Sequence, residues 1–252
     1  SSVVPFHTWS PDAYEAASLP ATAFMAVIVK AAALFAVLRI LGQAPLPAAM
    51  FGLIALLPLV SMVWGNLAAM RQSSFRRMIA YSSVAHAGYL FFALLGEPDG
   101  RFQAVTLYLL VYGLLNLLAF ASLPAGKDDA RNDAIDGLRG LARRSPWSAA
   151  MIAIAMLSLA GIPPLPGFIA KFLIFKNVLD AGHVTLAVAG LVASYLGIYF
   201  YLRVIQLMYM GQAPATGEAA PRIDSTRAIT ALLCLAPAAL VAIFPGWVLA
   251  QL

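Results

Sequence analysis

The stretch GIPPLPGFIAKF, residues 161–172, lies inside a long apolar segment that extends from about residue 147 to residue 180. One membrane-spanning helix needs roughly 20 residues, so this segment is too long for a simple span. Its prolines remove backbone donors and its glycines relax the backbone, which predicts a helix break between residues 161 and 167. Lys171 follows that break. Because irregular backbone in hydrocarbon must be buried or line a wet cavity, a break beside a charge indicates a transport site.

The composition is that of a polytopic membrane protein. Of the 252 residues, 62% are hydrophobic and 11% are charged, whereas a soluble domain carries about 25% charged residues. The mean hydropathy is +0.85. The net charge of +5 does not call for a nucleic-acid partner, since the basic residues cluster in loops between spans. The single cysteine, Cys234, lies in an apolar run, so we expect neither a disulfide framework nor a metal site.

Hydropathy predicts an all-α chain with about seven transmembrane helices. A short half-helix and a loop come first, over residues 1–20. The predicted spans cover about residues 21–41, 48–70, 78–95, 102–123, 147–180, 184–210 and 228–249. Residues 42–47 read as a turn, and residues 134–141 read as a short interfacial helix.

Charge predicts the orientation of these spans. Loops 71–77, 125–146 and 211–227 contain three, five and two Lys or Arg residues, and the loops on the opposite side contain one in total. The basic loops are therefore expected on the cytoplasmic side, with the C-terminus outside. The first residues lack the basic and apolar regions of a signal peptide and an initiator methionine, so we expect a piece of a longer chain.

Lys30 is the first candidate for chemistry. It lies near the middle of the first full span, where a charge costs about 2.5–3.5 kcal/mol on insertion scales. No acid stands three or four residues away on the same helix. Desolvation disfavours the charged form of an amine, so Lys30 is a candidate for proton exchange near neutral pH. The alternative is a lysine that snorkels or pairs statically with an acid from another helix.

Lys171 is the second candidate, because a half-helix terminus beside it offers unpaired backbone groups and room for water. The alternative is an interfacial lysine at the end of a shorter span. Lys176, one turn onward, is interpreted as an interface anchor, and Arg203 as a snorkelling residue.

His86 shares one helix face with Ser82 and Ser83, so the three are predicted to order water and pass protons. The alternative is a structural histidine bonded to serine or backbone. Asp12 is a supporting candidate in the first loop, with helix capping as its alternative. There is no phosphate loop, dinucleotide fingerprint or cysteine cluster, so we expect no electron carrier in this chain.

Four blocks of sequence resemble a known family. They are PFHTWSPDAYE at residues 5–15 with Lys30, YSSVAHAGY at 81–89, LSLAGIPP with GFIAKF at 157–172, and YFYLR at 199–203. In this order they resemble the antiporter-like subunits of respiratory complex I, most of all subunit N of bacterial proton-translocating NADH-quinone oxidoreductase, the counterpart of mitochondrial NADH dehydrogenase subunit 2.

The resemblance implies a fold of fourteen spans with two inverted five-helix repeats, each containing a broken helix. This chain would be the C-terminal half. Residues 1–41 would end the first repeat, residues 42–211 would form the second repeat with its broken helix, and residues 212–252 would hold a loop and the final span. A lysine and a glutamate of the first repeat would precede residue 1.

The resemblance also implies a function. Lys30 would link two half-channels, Lys171 would stand near the exit, and His86 would lie between them in a proton relay. The chain would lie in a bacterial inner membrane, in contact with lipid, water and protons, beside other membrane subunits that include flanking antiporter-like subunits. Flavin, iron–sulfur clusters and quinone would belong to other subunits. The alternatives are a subunit of a multi-subunit sodium/proton antiporter, a hydrogenase-linked membrane subunit, and a structural scaffold whose buried lysines form static ion pairs.

Overall fold

A computed structural model describes residues 2–41, 48–124, 133–212 and 225–252. Within these ranges the chain forms twelve α-helices. They are α1 (Trp9–Ala16), α2 (Leu19–Leu41), α3 (Ala48–Met70), α4 (Phe75–Phe92), α5 (Pro98–Ala121), α6 (Leu141–Arg144), α7 (Pro146–Ala160), α8 (Pro166–Asp180), α9 (Val184–Tyr195), α10 (Ile198–Met210), α11 (Ser225–Ile243) and α12 (Pro245–Leu249). Short 3-10 turns follow α4, at Ala93–Leu95, and precede α6, at Ile135–Leu138.

The predicted all-α membrane fold is confirmed. Among the described residues, six segments are long and apolar enough to cross a membrane, and the helix pair α7 and α8 adds a seventh, broken one. Several boundaries differ from those predicted, because capping and proline positions decide them. The third span begins at Phe75, where the Ser74 hydroxyl accepts a hydrogen bond from the Arg77 N–H, and the fourth begins at Pro98.

Helix α4 lies at the centre of the bundle, and nearly all of its residues are buried. It approaches α3 closely through two glycines. A Cβ on Gly65 would stand 2.6 Å from the Ala85 nitrogen, and one on Gly88 would stand 2.8 Å from the Pro58 carbonyl oxygen. Small residues at a helix interface let backbones approach, which is how packing holds helices together where lipid is as apolar as the side chains.

The predicted break separates α7 from α8. Gly161 ends α7 with φ of +86°, a left-handed conformation that favours glycine. At the start of α8, the Gly167 N–H donates to the Ser158 hydroxyl over 3.0 Å, and a Cβ on Gly167 would stand 1.8 Å from the Ser158 carbonyl oxygen. The start of the second half-helix therefore packs directly against the end of the first.

The sixth span extends from Val184 to Met210, as predicted, but it contains a local interruption that was not predicted from the sequence. Helix α9 ends at Tyr195 and α10 begins at Ile198. Asn66 of α3 donates its side-chain N–H to the Ala193 carbonyl over 2.9 Å, and a Cβ on Gly197 would stand 3.0 Å from the Asn66 Oδ1. A side chain from another helix thus occupies the place of a helical hydrogen bond.

Two smaller expectations also change. The last span ends at Ile243, and Pro245 begins a separate short helix, α12, because Phe244, the residue before this proline, leaves the helical conformation with φ of −125° and ψ of 57°. The interfacial helix expected at 134–141 is a 3-10 turn followed by the single turn of α6. The turn expected at 42–47 lies outside the described residues, as do the charged residues of the long loop at 127–131 and most of loop 211–227.

Candidate functional site

Lys30 lies in the buried face of α2 and is 1% exposed. Its amine donates hydrogen bonds to the carbonyl and to the hydroxyl of Ser83 on α4. The amine also stands 5.4 Å from the centre of the Tyr112 ring on α5, a cation–π distance. In the part of the chain that the structure describes, no carboxylate pairs with Lys30, so the static ion pair considered above does not form there.

Ser83 connects Lys30 to the first half-helix. Its hydroxyl lies 3.2 Å from the hydroxyl of Tyr14, a fully buried residue of α1. Ser82, the preceding residue, bonds instead to the hydroxyl of Tyr201 on α10. Although the two serines are neighbours in sequence, they bind different partners: Ser83 contacts Lys30 and Tyr14, and Ser82 contacts Tyr201.

His86 lies between two tyrosines at the centre of the bundle. Its Nδ1 is 2.7 Å from the Tyr108 hydroxyl, and its Nε2 is 3.0 Å from the Tyr201 hydroxyl. Each hydroxyl can donate or accept, so either tautomer of the ring satisfies both contacts. Tyr201 thereby joins His86 to Ser82, and both ring nitrogens of a buried histidine have a partner through which a proton can pass.

Lys171 lies one turn and a half into α8 and is 8% exposed. Its amine donates over 3.0 Å to the carbonyl of Ala160, the last residue of α7, and stands 5.1 Å from the centre of the Tyr89 ring. A helix leaves its last carbonyls without an intrahelical partner, and the break presents one of them to the lysine. A Cβ on Gly161 would stand 2.9 Å from the Lys171 Cδ, so glycine makes room for this side chain.

A small cavity of about 10 Å³ joins His86 to Lys171. Its lining includes both residues, the Tyr108 and Tyr112 rings, and Ser158. A polar cavity of roughly 10–15 Å³ accommodates one water molecule. The cavity therefore has room for one water between the imidazole and the amine.

The remaining predicted residues lie elsewhere. Asp12 is 75% exposed and pairs with Arg77 over 2.8 Å, and Arg77 also pairs with Glu15 over 2.7 Å. Asp12 is therefore not brought to the lysines. Lys176 pairs with Asp180 on the surface of α8, over 2.6 Å.

Arg203 and the two other histidines of the chain, His7 and His183, bind backbone or rings. Arg203 donates to the Met70 carbonyl over 3.2 Å. The Trp64 indole N–H donates to the His7 Nε2 over 2.9 Å, and the centres of the His183 and Phe51 rings lie 4.8 Å apart. None of these contacts reaches Lys30, His86 or Lys171.

The tyrosines that line the polar centre were not predicted from the sequence: Tyr14, Tyr89, Tyr108, Tyr112 and Tyr201. A signal for some of them exists, because Tyr108 and Tyr112 are spaced by one helical turn inside an apolar span. Asn66, a lone amide in the apolar run of α3, was not predicted either. Among the described residues, His, Cys, Asp and Glu form no group of three that would hold a metal.

Outside the membrane-spanning segments, Asp133 fastens the loop before α6 to the start of α4. Its carboxylate accepts hydrogen bonds from the Ser74 hydroxyl over 2.6 Å and from the Arg76 N–H over 2.9 Å. Arg76, 1% exposed, also donates to the Ala17 carbonyl beyond the end of α1. Burial raises the pKa of the Asp133 carboxyl above its ordinary value, although these hydrogen bonds oppose the shift.

A family model described as NADH:quinone oxidoreductase/Mrp antiporter, transmembrane, matches residues 1–197. The chain belongs to this family. Within it, the chain is 46% identical over 222 residues to NADH-quinone oxidoreductase subunit N of Pelobacter propionicus, covering 87% of this chain and 47% of that protein. It is 40% identical to subunit N 1 of Solibacter usitatus, covering 98% of this chain and 52% of the relative. The chain thus spans about half the length of the curated relatives it matches.

Solved structures of the family share the fold. A chain of respiratory complex I from Thermus thermophilus superposes with a TM-score of 0.80 at 38% identity, over 99% of this chain and 55% of that one. A chain of the Mrp complex from Dietzia sp. superposes with a TM-score of 0.81 at 24% identity, over 98% of this chain and 55% of that one, which shows the common fold alone. The membrane spans and the bacterial relatives identify a multi-pass protein of the bacterial inner membrane.

Proposed function

We propose that this chain is part of an antiporter-like membrane subunit that translocates protons in a bacterial NADH:quinone oxidoreductase. The observation that supports it most is the polar line through the bundle centre. Two buried lysines lie on different helices, and a histidine with two hydroxyl partners lies between them. Buried ionisable groups are costly in a membrane, so a line of them is expected to serve ion or proton movement.

In the proposed relay, Lys30 carries a proton, and its amine donates hydrogen bonds to Ser83. His86 exchanges protons through its two ring nitrogens, with the Tyr201 hydroxyl on one side and the Tyr108 hydroxyl on the other. Water carries the proton between the Lys30 group and the Tyr201 hydroxyl. One water in the small cavity, which Tyr108 also lines, then carries the proton from the Tyr108 hydroxyl to Lys171, whose amine is held at the helix break by the Ala160 carbonyl.

The energy for this relay comes from redox chemistry on other subunits. Flavin, iron–sulfur clusters and quinone are proposed to belong there, and their reactions change the charge state along the membrane arm. The partners are other membrane subunits of the complex, including flanking antiporter-like subunits. We propose that residues 1–41 end a first repeat, that residues 42–211 form the second repeat, and that residues 212–252 hold a loop and a final span.

The test replaces the two lysines in the full-length subunit within the assembled complex. We expect Lys30→Ala and Lys171→Ala each to lower proton translocation per quinone reduced, measured with reconstituted complex in vesicles. Lys176→Ala is the matched control, because this lysine lies on the same helix as Lys171 but pairs with Asp180 at the surface. Unchanged translocation at normal assembly in both lysine variants would reject the relay.

The same preparation separates the alternative functions. Sodium-dependent transport without quinone reduction would favour the multi-subunit sodium/proton antiporter, and coupling to hydrogen evolution would favour a hydrogenase-linked membrane subunit. A static scaffold predicts that the lysine variants lose assembly and translocation together, with no variant that assembles normally and fails to pump.

A further inference from the structure

A second, larger cavity lies on the other side of Lys171. Its volume is about 260 Å³, and it lies between α8 and the interrupted helix pair α9 and α10. Lys171 lines both this cavity and the small one beside His86. The same amine therefore stands between the polar centre of the bundle and a space on the other side of the helix break.

The outer part of this cavity is apolar, and several of its residues are exposed in this chain. Phe168 and Phe172 of α8 stack with ring centres 6.0 Å apart, and Phe172 is 54% exposed. On the opposite wall, Leu191 is 44% exposed and Tyr195 is 65% exposed. These side chains form an apolar entrance, so an occupant that enters there needs an apolar body.

The inner end of the cavity is polar and basic. The neutral Lys171 amine has two N–H donors and a lone pair that can take up a proton, and the hydrogen bond described for it goes to Ala160. Ser194 adds a hydroxyl to the same lining. Among the described residues, no carboxylate lines the cavity, so its charge is complementary to an acid.

We propose that this cavity binds a long-chain fatty acid, with its carboxyl group on the Lys171 amine and its chain between Phe172 and Leu191. The break beside Lys171 divides its span into two halves of 15 residues each, so the amine stands near mid-membrane. A phospholipid headgroup stays at the interface, whereas a protonated fatty acid is neutral and small enough to reach this depth. There the O–H bond of the acid breaks, its proton forms a new N–H bond on the neutral amine, and an ammonium–carboxylate pair results.

This binding site goes beyond the proposed function and has a consequence for it. A bound carboxylate stabilises the ammonium form of Lys171, because an opposite charge within hydrogen-bonding distance favours the charged state. Such a lysine releases its proton less readily to water or to His86. Bound fatty acid is therefore expected to slow proton translocation more than quinone reduction.

The test uses a fatty acid with a photoreactive diazirine in its chain, added to membranes that contain the assembled complex. We expect label in the peptides that carry Phe172 and Leu191. Unlabelled acid of the same length should compete, and the alcohol of the same length and phosphatidylglycerol should not. Since a hydrogen bond to a charged group contributes about 1.5–3 kcal/mol, the acid should exceed the alcohol by roughly tenfold or more.

Two variants make the test specific. Leu191→Trp fills the cavity and should remove the label, whereas Val192→Trp, an exposed neighbour that does not line the cavity, should retain it. Lys171→Met should retain a weaker label and lose the preference for acid over alcohol. Equal labelling of both tryptophan variants, or competition by alcohol or phospholipid as strong as that by acid, would overturn the proposal.

Labelling requires no electron transfer, so it is independent of the proposed relay. If labelling fails while Lys171→Ala still loses translocation, the fatty-acid site is rejected and the relay stands. If labelling succeeds while both lysine variants still pump normally, the relay is rejected and the binding site stands.

Discussion

Lys30 and Lys171 are two buried lysines that the chain accommodates in opposite ways. Lys30 lies in an uninterrupted helix and takes its acceptors, a hydroxyl and a carbonyl of Ser83, from the neighbouring helix α4. Lys171 lies beside a helix break and takes its acceptor, the Ala160 carbonyl, from the end of the preceding half-helix. An amine in the membrane needs an acceptor, and either a polar neighbour or an opened backbone can supply one.

The two environments also differ in access. Lys30 is 1% exposed and enclosed by α4 and α5, whereas Lys171 is 8% exposed and lines two cavities. A break costs helical hydrogen bonds but leaves space that regular packing does not. The helix break therefore has two effects: it supplies the Lys171 amine with a carbonyl acceptor, and it leaves space beside that side chain.

We expect the most severe loss of stability from an added methyl group at the helix break. In Gly167→Ala the added methyl group would stand 1.8 Å from the Ser158 carbonyl oxygen, so the two half-helices must separate. Overpacking of this kind costs about 1–3 kcal/mol, occasionally more. We expect the full-length subunit to assemble poorly and to unfold at lower temperature in detergent. Gly52→Ala is the control, since nothing lies within 4 Å of its added Cβ. Equal stability of the two variants would contradict the close packing of the break.

The next effect concerns the second interruption, between α9 and α10. Asn66→Leu leaves the Ala193 carbonyl without the donor that now reaches it, at a cost of about 1–3 kcal/mol for a buried polar group. Asn116→Leu is matched in burial and chemistry, but the Asn116 amide donates to a carbonyl of its own helix. Thermal unfolding of both full-length variants should rank Asn66→Leu as the less stable, and the reverse order would show that Asn66 does not hold the interruption.

A smaller effect is expected at Lys30. Ser83→Ala removes the hydroxyl acceptor and leaves the Ser83 carbonyl in place. One hydrogen bond contributes about 0.5–1.5 kcal/mol, which corresponds to roughly a two- to tenfold loss of proton translocation at normal assembly. In the control variant Ser122→Ala, the lost hydroxyl donates to its own helix at Leu118. A loss of translocation in the control as large as that in Ser83→Ala would remove Ser83 from the relay.

The smallest effect is expected outside the membrane, at Asp133. Asp133→Asn keeps a side-chain oxygen that can accept a hydrogen bond but removes the charge that stands 3.8 Å from the Arg76 Nε, so it should lower the unfolding free energy modestly. Asp133→Leu should cost more, because it removes the acceptor of the Ser74 hydroxyl and the Arg76 N–H. Thermal unfolding of the two variants against the parent measures both effects.

The pH dependence at Asp133 follows from the same shift. The folded pKa lies above the unfolded one, so the folded chain binds this proton more tightly. The stability that this group contributes is therefore present at low pH and declines as pH rises through the folded pKa. Asp133→Asn should flatten this part of the stability profile between weakly acidic and more acidic buffers, and an unchanged slope would contradict the assignment.

Much of the fold could be predicted from local sequence. Span positions follow from hydropathy, and the break between α7 and α8 follows from its prolines and glycines, because both are properties of the chain itself. The interruption at 196–197 could not be predicted in this way. A single glycine in an apolar run is compatible with a continuous helix, and the side chain that opens this one, Asn66, comes from a residue 127 positions from Ala193.

In the candidate site, the lysines could be predicted from the sequence and the tyrosines could not. Lys30 and Lys171 stand out because an ionisable residue inside an apolar run is costly wherever the run packs. The tyrosines do not stand out, because a phenol ring is largely apolar and is common in an apolar span. Its hydroxyl indicates a function only when its hydrogen-bond partner is known. Tyr201 lies 115 residues from His86, and that pairing depends on how α10 packs against α4.

The membrane location of this chain, the course of its spans, the break in one of them and the burial of two amines are all encoded in the local sequence. These features follow from the cost of placing charge, proline or unsatisfied backbone in hydrocarbon. The contact of Lys30 with Ser83, the position of His86 between two tyrosines and the position of Lys171 between two cavities depend on tertiary packing. Hydrogen bonds are short-ranged and directional, so the helices must be packed before such partners meet.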